Sequence, residues 1–587
     1  MFKINIFTTK NGHKILYIKD INNFINIDCN EYEDGIYDIS KEQLLDVVNK
    51  YSYENFNKIK KIIDTKDRNL LSLENKIEYP HYSLCLHPSR ECNLNCKYCF
   101  ADDCEYLPKN GLTIELAKKA IDFLVYDIGK NGSAYSIDLS GSGEPLLKFD
   151  FIKEIEEYCD EIRSNTGKDI KIMFPTNATL LNQEKINYFE SKPNILLGIS
   201  IDGDDKYNIN RVYKDGTPIY NDIKNNIKML KRTYGLSVTI CHENEHVDEV
   251  FDHLYNEFKY VDSITMHLVR DFNLDSPTCL YKVNKNNLIE HYKLLIKNMH
   301  EHIIKDDYNY VFALLRGIDT LGTFIVRVLT KGKLSRFRCG GAKNRFAMDD
   351  KGNLFACSIV SGNDDFKVGD IFNGIDKRMQ RKHLKINAEA NECKDCWCSY
   401  VCSGECPVVG YLTSGNMYKP DLFSCNIKKE LIKLSIEFVD DLYNNNLKAY
   451  KKLVRFANLK FNDLRTDSGI WAINQYLRSK NITIDYSDLC NKINKEDKGI
   501  RPNEVLRIIK EYVASFEAYK VIENQNLEEI KYPAILCDYR GLNYNYYIIE
   551  STSEDVVNIK TLEKIELTTV PFNYIKENSL ILMAELL

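Results

Sequence analysis

Three cysteines fall within eight residues in the run Cys92-Asn-Leu-Asn-Cys96-Lys-Tyr-Cys99. Thiolates at such spacing hold metal in a reducing compartment. Three of them are one short of the four that close a four-iron cluster, and an iron without a protein partner is what binds and reduces a small molecule. Taken alone, the spacing also suits a zinc knuckle. A second cysteine field lies further along. Cys339 is followed after twelve residues by Gly352, and after four more by Cys357. Then come Cys393, Cys396, Cys402 and Cys406, separated by two, five and three residues, and finally Cys425. Cys398 sits inside this field but off its rhythm, as a substitute ligand, a working thiol or a packed side chain. Structural zinc competes with iron–sulfur chemistry here as well, because paired cysteines bind zinc readily. The dispersed Cys29, Cys85, Cys159, Cys241, Cys279, Cys490 and Cys537 read as small packed residues.

The elements that must hold these residues are legible as apolar runs. YSLCL (82–86), YSIDLS (135–140), IKIMF (170–174), ILLGIS (195–200), SVTIC (237–241) and SITMHL (263–268) alternate with amphipathic stretches. One of these stretches is LTIELAKKAIDFLVY, whose Thr113 can cap a first helical turn. Six strands alternating with helices predict an α/β unit on a parallel sheet, either doubly wound or bent into part of a barrel. That unit spans 81–275. Before it, at 1–80, the strand patterns KINIF, KILYI and FINID and two helical stretches near 41–65 predict a small α+β module. After it come a helical connector (276–335), the Cys- and Gly-rich region (336–430), a bridging helix (431–459) and a last α/β segment (460–587). The Cys-rich region has few apolar runs to form a core, so bound metal is expected to organise it.

Composition narrows the function. At 587 residues the chain is long for one core, and 19 cysteines in so large a chain point away from a disulfide scaffold. A net charge of −6 gives no electrostatic footprint for nucleic acid. No run of about 18 apolar residues occurs to span a membrane. The N-terminal MFKINIFTTKNGHK has no secretory pattern, so a cytoplasmic protein is expected.

The loops after the second, third and fourth strands of the core add the decisive residues. They are Ser142-Gly143-Glu144-Pro145, Thr176-Asn177-Ala178-Thr179, and Ser200-Ile201-Asp202-Gly203 followed by Arg211. Glycine lets backbone approach closely, a carboxylate suits an ammonium, and a planar guanidinium suits a carboxylate. With the triad, all fall at C-terminal ends of consecutive strands, where a parallel barrel builds its site. Across about 82–275 this set resembles the radical SAM superfamily. The resemblance implies a partial (β/α)6 TIM-like barrel in which Cys92, Cys96 and Cys99 hold a [4Fe–4S] cluster. Its open iron would chelate the amino and carboxylate groups of S-adenosylmethionine, and electron transfer into the sulfonium would yield a 5′-deoxyadenosyl radical. Tyr98 would lie near the adenine, and Ser142, Gly143 and Glu144 would receive the methionine amino group. Thr176 and Asn177 match the family's TNGT element, while Ser200, Asp202 and Arg211 would grip the ribose and carboxylate. Ala178 and Ser142 stand where the family has glycine.

The later cysteines resemble the SPASM extension of radical SAM enzymes that act on peptides and proteins, which carries two further [4Fe–4S] clusters. By position, Cys339, Cys357 and Cys406 would bind auxiliary cluster I, and Cys393, Cys396, Cys402 and Cys425 auxiliary cluster II. Some members have another cysteine six residues after the first; here that position is Arg345, which implies an open iron in cluster I. The N-terminal module resembles the small winged-helix-like domain that binds leader peptides in peptide maturases, and a plain structural cap is the competing possibility. The C-terminal segment resembles the papain-like peptidases that remove double-glycine leaders. Its catalytic cysteine, histidine and oxyanion glutamine would be Ser468, Asn545 and Asn462, which implies an inactive peptidase fold kept as a leader-binding surface. The expected function is maturation of a ribosomally made, Cys-rich precursor peptide, with thioether formation. Its partners would be that precursor with its leader and an electron donor such as flavodoxin or ferredoxin. Carbon–carbon cross-linking, epimerisation or sulfatase-type protein oxidation are the alternatives.

Overall fold

The computed structural model describes residues 1–9, 12–29, 31–69, 81–101, 111–130, 132, 134–141, 143–317, 321–330, 337–389, 391–461, 468–480, 482, 500, 502–520, 530–538, 545–553, 556–561, 568–571 and 581–586. The chain divides into two compact units, the first carrying nearly everything from Met1 to Tyr450 and the second formed chiefly by Lys451–Leu587.

In the first unit, strands β1 (Phe2–Thr8), β2 (Lys14–Ile18), β3 (Asn23–Ile27) and β4 (Gly35–Ile39) form an antiparallel sheet in the order β3-β2-β1-β4. The expected module had three strand patterns; β4 is the fourth. Its sheet packs with the helices Lys41–Tyr51 and Tyr53–Asn69 around Ile4, Ile6, Leu16, Ile18, Leu44, Val48, Ile59 and Ile63. Ser40 starts the first of these helices with a reciprocal cap. Its hydroxyl accepts from Gln43 N at 3.2 Å, and Gln43 Oε1 accepts from Ser40 N at 2.8 Å.

The core follows as six strands: β5 (His81–Leu86), β6 (Ala134–Asp138), β7 (Asp169–Thr176), β8 (Ile195–Ser200), β9 (Tyr234–Ile240) and β10 (Val261–Leu268), with β6 to β10 paired in parallel. Their order in the sheet is their order in the chain, without reversal. A doubly wound sheet would reverse direction at a switch point, and this order does not. Helices Ile114–Asp122, Phe149–Thr166, Gln183–Ser191, Tyr220–Lys228 and Val247–Glu257 make the crossovers. Thr113 caps the first, accepting from Leu116 N. β7 buries Ile170, Ile172, Phe174 and Thr176 at every second position, and β9 alternates in the same way. The other face of these strands is only half-buried.

Beyond β5 the sheet continues into the Cys-rich region. β11 (Arg345–Met348) runs parallel to β5, pairing Arg345 with Ser83 and Met348 with Leu86. β12 (Asn353–Phe355), β13 (Lys367–Asp370) and β14 (Gly374–Ile375) follow antiparallel, so the ten-stranded sheet is open, with β10 and β14 at its edges. Backbone pairing thus anchors part of a region expected to be organised by bound metal. The helices Lys285–Ile304, Tyr308–Arg316, Leu321–Leu329 and Leu422–Asn445 complete this unit. None of the described helices is long and apolar enough to cross a membrane.

The second unit packs the helices Ser468–Ser479 and Pro502–Lys510 on an antiparallel sheet. Its strands are β15 (Glu517–Lys520), β16 (Ile530–Asp538), β17 (Asn545–Ser553), β18 (Val556–Thr561), β19 (Thr568–Pro571) and β20 (Ile581–Leu586), in the order β15-β20-β16-β17-β18-β19. Ile470, Tyr476, Ile508, Phe516, Ile548 and Met583 form its core. Asn462 lies outside the described residues, as do the side chains of Ser468 and Asn545.

Candidate active site

The triad loop is held from two sides. On one side, Asn95 N donates to Val212 O at 2.8 Å, Lys97 N donates to Asn210 O at 2.9 Å, and Leu94 bridges Tyr213. The segment carrying Arg211 is therefore stitched to the cysteine loop. On the other side, Glu144 N donates to Glu91 O at 2.8 Å. Gly143 makes that approach possible. Its φ is +70°, and a Cβ there would stand 2.4 Å from Ser89 O and 2.5 Å from Glu91 O. The close approach expected of this glycine is thus to the protein's own backbone, just before Cys92.

Cys92, Cys96 and Cys99 line one cavity of about 240 Å³, together with Tyr98, Gly143, Glu144, Thr176, Asn177, Ser200 and Arg211. Ser142 lies outside the described residues. Asp202 stands behind this wall, buried. Its Oδ2 accepts from Arg211 Nε at 3.0 Å and from the Tyr98 hydroxyl, and its Oδ1 accepts from Thr239 N at 2.9 Å. Asp202 therefore positions Arg211 and Tyr98. The Arg211 guanidinium lies 5.5 Å from the Tyr98 ring centroid.

Glu144 is 2% exposed, and burial pushes its pKa up against the donors that hold it. Oε1 accepts from Leu146 N at 3.0 Å and Thr176 Oγ1 at 2.7 Å, and Oε2 accepts from Asn177 N at 2.8 Å. A carboxylate has roughly four acceptor directions, so three are spent joining the loops after β6 and β7 and one on Oε2 remains for a ligand. Asn177 Nδ2 donates to Asn93 Oδ1 at 3.0 Å, which ties the same loop to the triad. Ala178, in the family's glycine position, adopts φ +60° while fully buried.

Three thiols, a buried guanidinium and amide donors around one cavity fit a three-cysteine cluster carrying an amino-acid ligand. The three thiols line a cavity of about 240 Å³, which leaves room for a polynuclear cluster. Burial pushes the Cys96 thiol up to about 12 against the pull of Arg211, so loading must remove a proton.

In the second field, Cys393, Cys396, Cys402 and Cys425 line a cavity of about 100 Å³, and Cys398 joins them. Four thiols there fit a fully ligated cluster. Cys406 lines a further cavity of about 60 Å³. Burial, then Cys406, push the Cys357 thiol up to about 11, with Cys339 also contributing, which places these three within electrostatic reach of one another. Arg345 donates to Asp138 Oδ2 at 2.7 Å, so its guanidinium is tied to the end of β6.

Four residues at the ends of β9 and β10 escaped the sequence reading: Thr239, His267, Val269 and Arg270 also line the triad cavity. The rule that barrel chemistry sits at strand C-termini, applied to all six strands, would have found them. Val269 and Arg270 line the Cys406 cavity as well. Among the described residues, Arg270 makes no hydrogen bond or ion pair.

The Radical SAM superfamily model matches residues 86–254. An uncharacterised protein of Methanocaldococcus jannaschii is 32% identical over 237 residues, which is 39% of this chain and 78% of that relative. The chain belongs to the radical SAM superfamily. It is also 24% identical to the cysteine-type anaerobic sulfatase-maturating enzyme of Clostridium novyi over 349 residues, covering 54% of this chain and 85% of the relative. The radical SAM cyclopropyl synthase TigE of Paramaledivibacter caminithermalis is 23% identical over 440 residues, covering 70% and 87%. The solved structure of anSMEcpe with bound AdoMet has a TM-score of 0.52 at 16% identity, covering 64% of this chain and 98% of that one, and shares its fold. The Peptidase C39 family model matches residues 459–574. The chain is thus a radical SAM enzyme of mixed α/β fold, related to protein- and peptide-modifying members, with a C39-like C-terminal part.

Proposed function

We propose that this radical SAM enzyme matures a ribosomally made, Cys-rich precursor peptide in the cytoplasm, forming thioether cross-links. The observation that carries the reading is that two cavities adjoin: the triad cavity and the Cys406 cavity share Val269 and Arg270 in their walls, which supports a substrate side chain at the radical having Cys406 close by. Cys92, Cys96 and Cys99 would hold the first [4Fe–4S] cluster. Cys339, Cys357 and Cys406 would hold a second, and Cys393, Cys396, Cys402 and Cys425 a third. When bound, S-adenosylmethionine and these clusters supply a 5′-deoxyadenosyl radical that takes a substrate hydrogen atom and an acceptor for the second electron. The chain's own residues do the placing. Arg211, fixed by Asp202, suits the methionine carboxylate, and Tyr98 borders the adenine. Glu144 braces two loops and offers one oxygen direction to the ammonium. Arg270, which makes no ion pair among the described residues, gives the substrate side of the cavity a positive charge.

Each cross-link replaces one C–H and one S–H bond with a C–S bond. The N-terminal module and the C39-like part, read as an inactive peptidase fold, would hold the leader, and flavodoxin or ferredoxin would supply electrons. The relation to sulfatase-maturating enzymes supports a second outcome, oxidation of a substrate Cys or Ser to a formyl group. Anaerobic purification tests the cofactor part: about 12 iron atoms per chain are expected for three four-iron clusters, and zinc without sulfide would end it. Incubation with a Cys-rich precursor encoded beside this gene should remove two hydrogens per cross-link. A formyl product would select the second outcome, and a peptide unchanged in mass and stereochemistry would refute both.

A further inference from the structure

Five cysteines line the cavity of about 100 Å³, and Cys398 is the one outside the expected ligand set. Its Sγ lies 3.6 Å from Cys396 Sγ, within reach of a thiol hydrogen bond, and the residue is 1% exposed. Its backbone is fixed, since its carbonyl accepts from Val401 N at 3.0 Å and Cys402 N at 2.8 Å. The preceding residue is fixed too. Trp397, 5% exposed, packs against Phe7 at a centroid distance of 6.4 Å and meets Tyr17 edge-on at 5.8 Å. On the other side of Cys396, Lys19 Nζ donates to the carbonyl of Lys394. The N-terminal module therefore grips the short segment 394–397 at both ends, with Cys396 between the grips.

We infer that Cys398 remains a thiol beside auxiliary cluster II and donates its S–H to the Cys396 thiolate, raising that cluster's reduction potential. The inference rests on the reading that Cys393, Cys396, Cys402 and Cys425 hold this cluster. A hydrogen bond to a cluster sulfur withdraws electron density and favours the reduced state, which carries one more negative charge. Cys398 itself is buried, so its thiol is shielded from solvent where it meets Cys396. Cys398 is thus a positioning residue, aimed by a module far from it in sequence, and the N-terminal module acquires a physical link to the cluster beyond any role in binding peptide.

The test uses the anaerobically reconstituted full chain with Cys398→Ala and Cys398→Ser, read by iron content and by redox titration followed with electron paramagnetic resonance. Cys398→Ala should keep wild-type iron while one cluster's midpoint falls by an amount equivalent to about a tenfold change in the oxidised-to-reduced ratio, about 59 mV for one electron. Cys398→Ser keeps a donor and should return the midpoint towards wild type. Loss of about four iron atoms from Cys398→Ala would make Cys398 a ligand and overturn the inference, as would an unmoved midpoint at full iron. Cys425→Ala separates the two levels of the claim: it should lose about four iron atoms, and full iron there would refute the cluster assignment itself.

Discussion

Gly143→Ala isolates what the glycine after β6 does. The residue has φ +70°, and a Cβ would lie 2.4 Å from Ser89 O and 2.5 Å from Glu91 O. An L-residue in the left-handed region costs about 1–2 kcal/mol. The Cβ would also sit well inside ordinary contact distance of two backbone oxygens, so the loops must part, and crowding of this kind costs about 1–3 kcal/mol. Gly415 supplies the control, with φ +68° and nothing within 4 Å of its Cβ position. Gly415→Ala should therefore incur the backbone term alone. The difference of about 1–3 kcal/mol corresponds to roughly 5- to 150-fold in an equilibrium. It falls on the segment entering Cys92 and on the hydrogen bond from Glu144 N to Glu91 O. Equilibrium dialysis of S-adenosylmethionine against the reconstituted variants should show binding weakened about tenfold or more in Gly143→Ala and nearly unchanged in Gly415→Ala. Equal behaviour of the two variants would refute the claim that this contact shapes the site.

Arg211→Gln leaves the Asp202 carboxylate buried beside Tyr98 without its cation. Breaking a buried pair in this way costs about 3–5 kcal/mol, so both urea stability and S-adenosylmethionine affinity should fall, and unchanged stability would count against the assigned pairing. His87 is buried, and burial pushes its pKa down to about 4 from 6.5. The unfolded chain therefore binds the extra proton first. This contribution is complete above pH 6.5 and is lost as pH falls towards 4, by at most about 3 kcal/mol. His87→Gln should flatten the slope of stability between those values, leaving the part contributed by the similarly shifted His383, and an unchanged slope would refute it. Arg270→Gln should preserve 5′-deoxyadenosine formation without peptide while peptide turnover drops tenfold or more. Loss of S-adenosylmethionine affinity instead would move Arg270 to the cofactor.

The core strands and the cysteine spacings were legible because each is a local pattern. Apolar runs of strand length, turn residues and thiols two to five residues apart announce themselves within a short window. β4 was not, because Gly35–Ile39 is short, edge-placed and half-exposed, with Ile36 52% exposed. Nor was β11, whose partner Ser83–Leu86 lies about 260 residues earlier in the chain. The loops after β6, β7 and β8 could be assigned to the site from sequence, but the work of each side chain within them could not. Glu144 and Asp202 read as ligand-binding carboxylates. Burial and donors arriving from other loops use most of Glu144 for bracing and place Asp202 behind Arg211. Ala178 shows the same limit, since only the backbone reveals that it sits at φ +60°.

Charge balance connects the two sets of auxiliary cysteines. Glu405 lies between them: its Oε1 accepts from Cys406 N at 2.7 Å and from Lys428 Nζ at 2.5 Å, and its Oε2 lies 3.6 Å from Cys425 Sγ. Burial raises its pKa, yet Lys428 and Arg338 hold the carboxyl below its usual range, so it is a buried anion between thiols that would become thiolates on binding the proposed clusters. Anions gathered in a buried site are costly unless cations, hydrogen bonds or bound metal offset them. Lys428, Arg338 and Arg270 line the Cys406 cavity, Lys428 and Lys429 the Cys398 cavity, and Arg211 and Arg270 the triad cavity. Lys428 is committed to Glu405 and Arg211 to Asp202, whereas Arg270 makes no such pair among the described residues. Arg270 thus borders both cavities without an ion pair among the described residues, and its charge also acts on the Cys357 thiol, which it pulls down against burial.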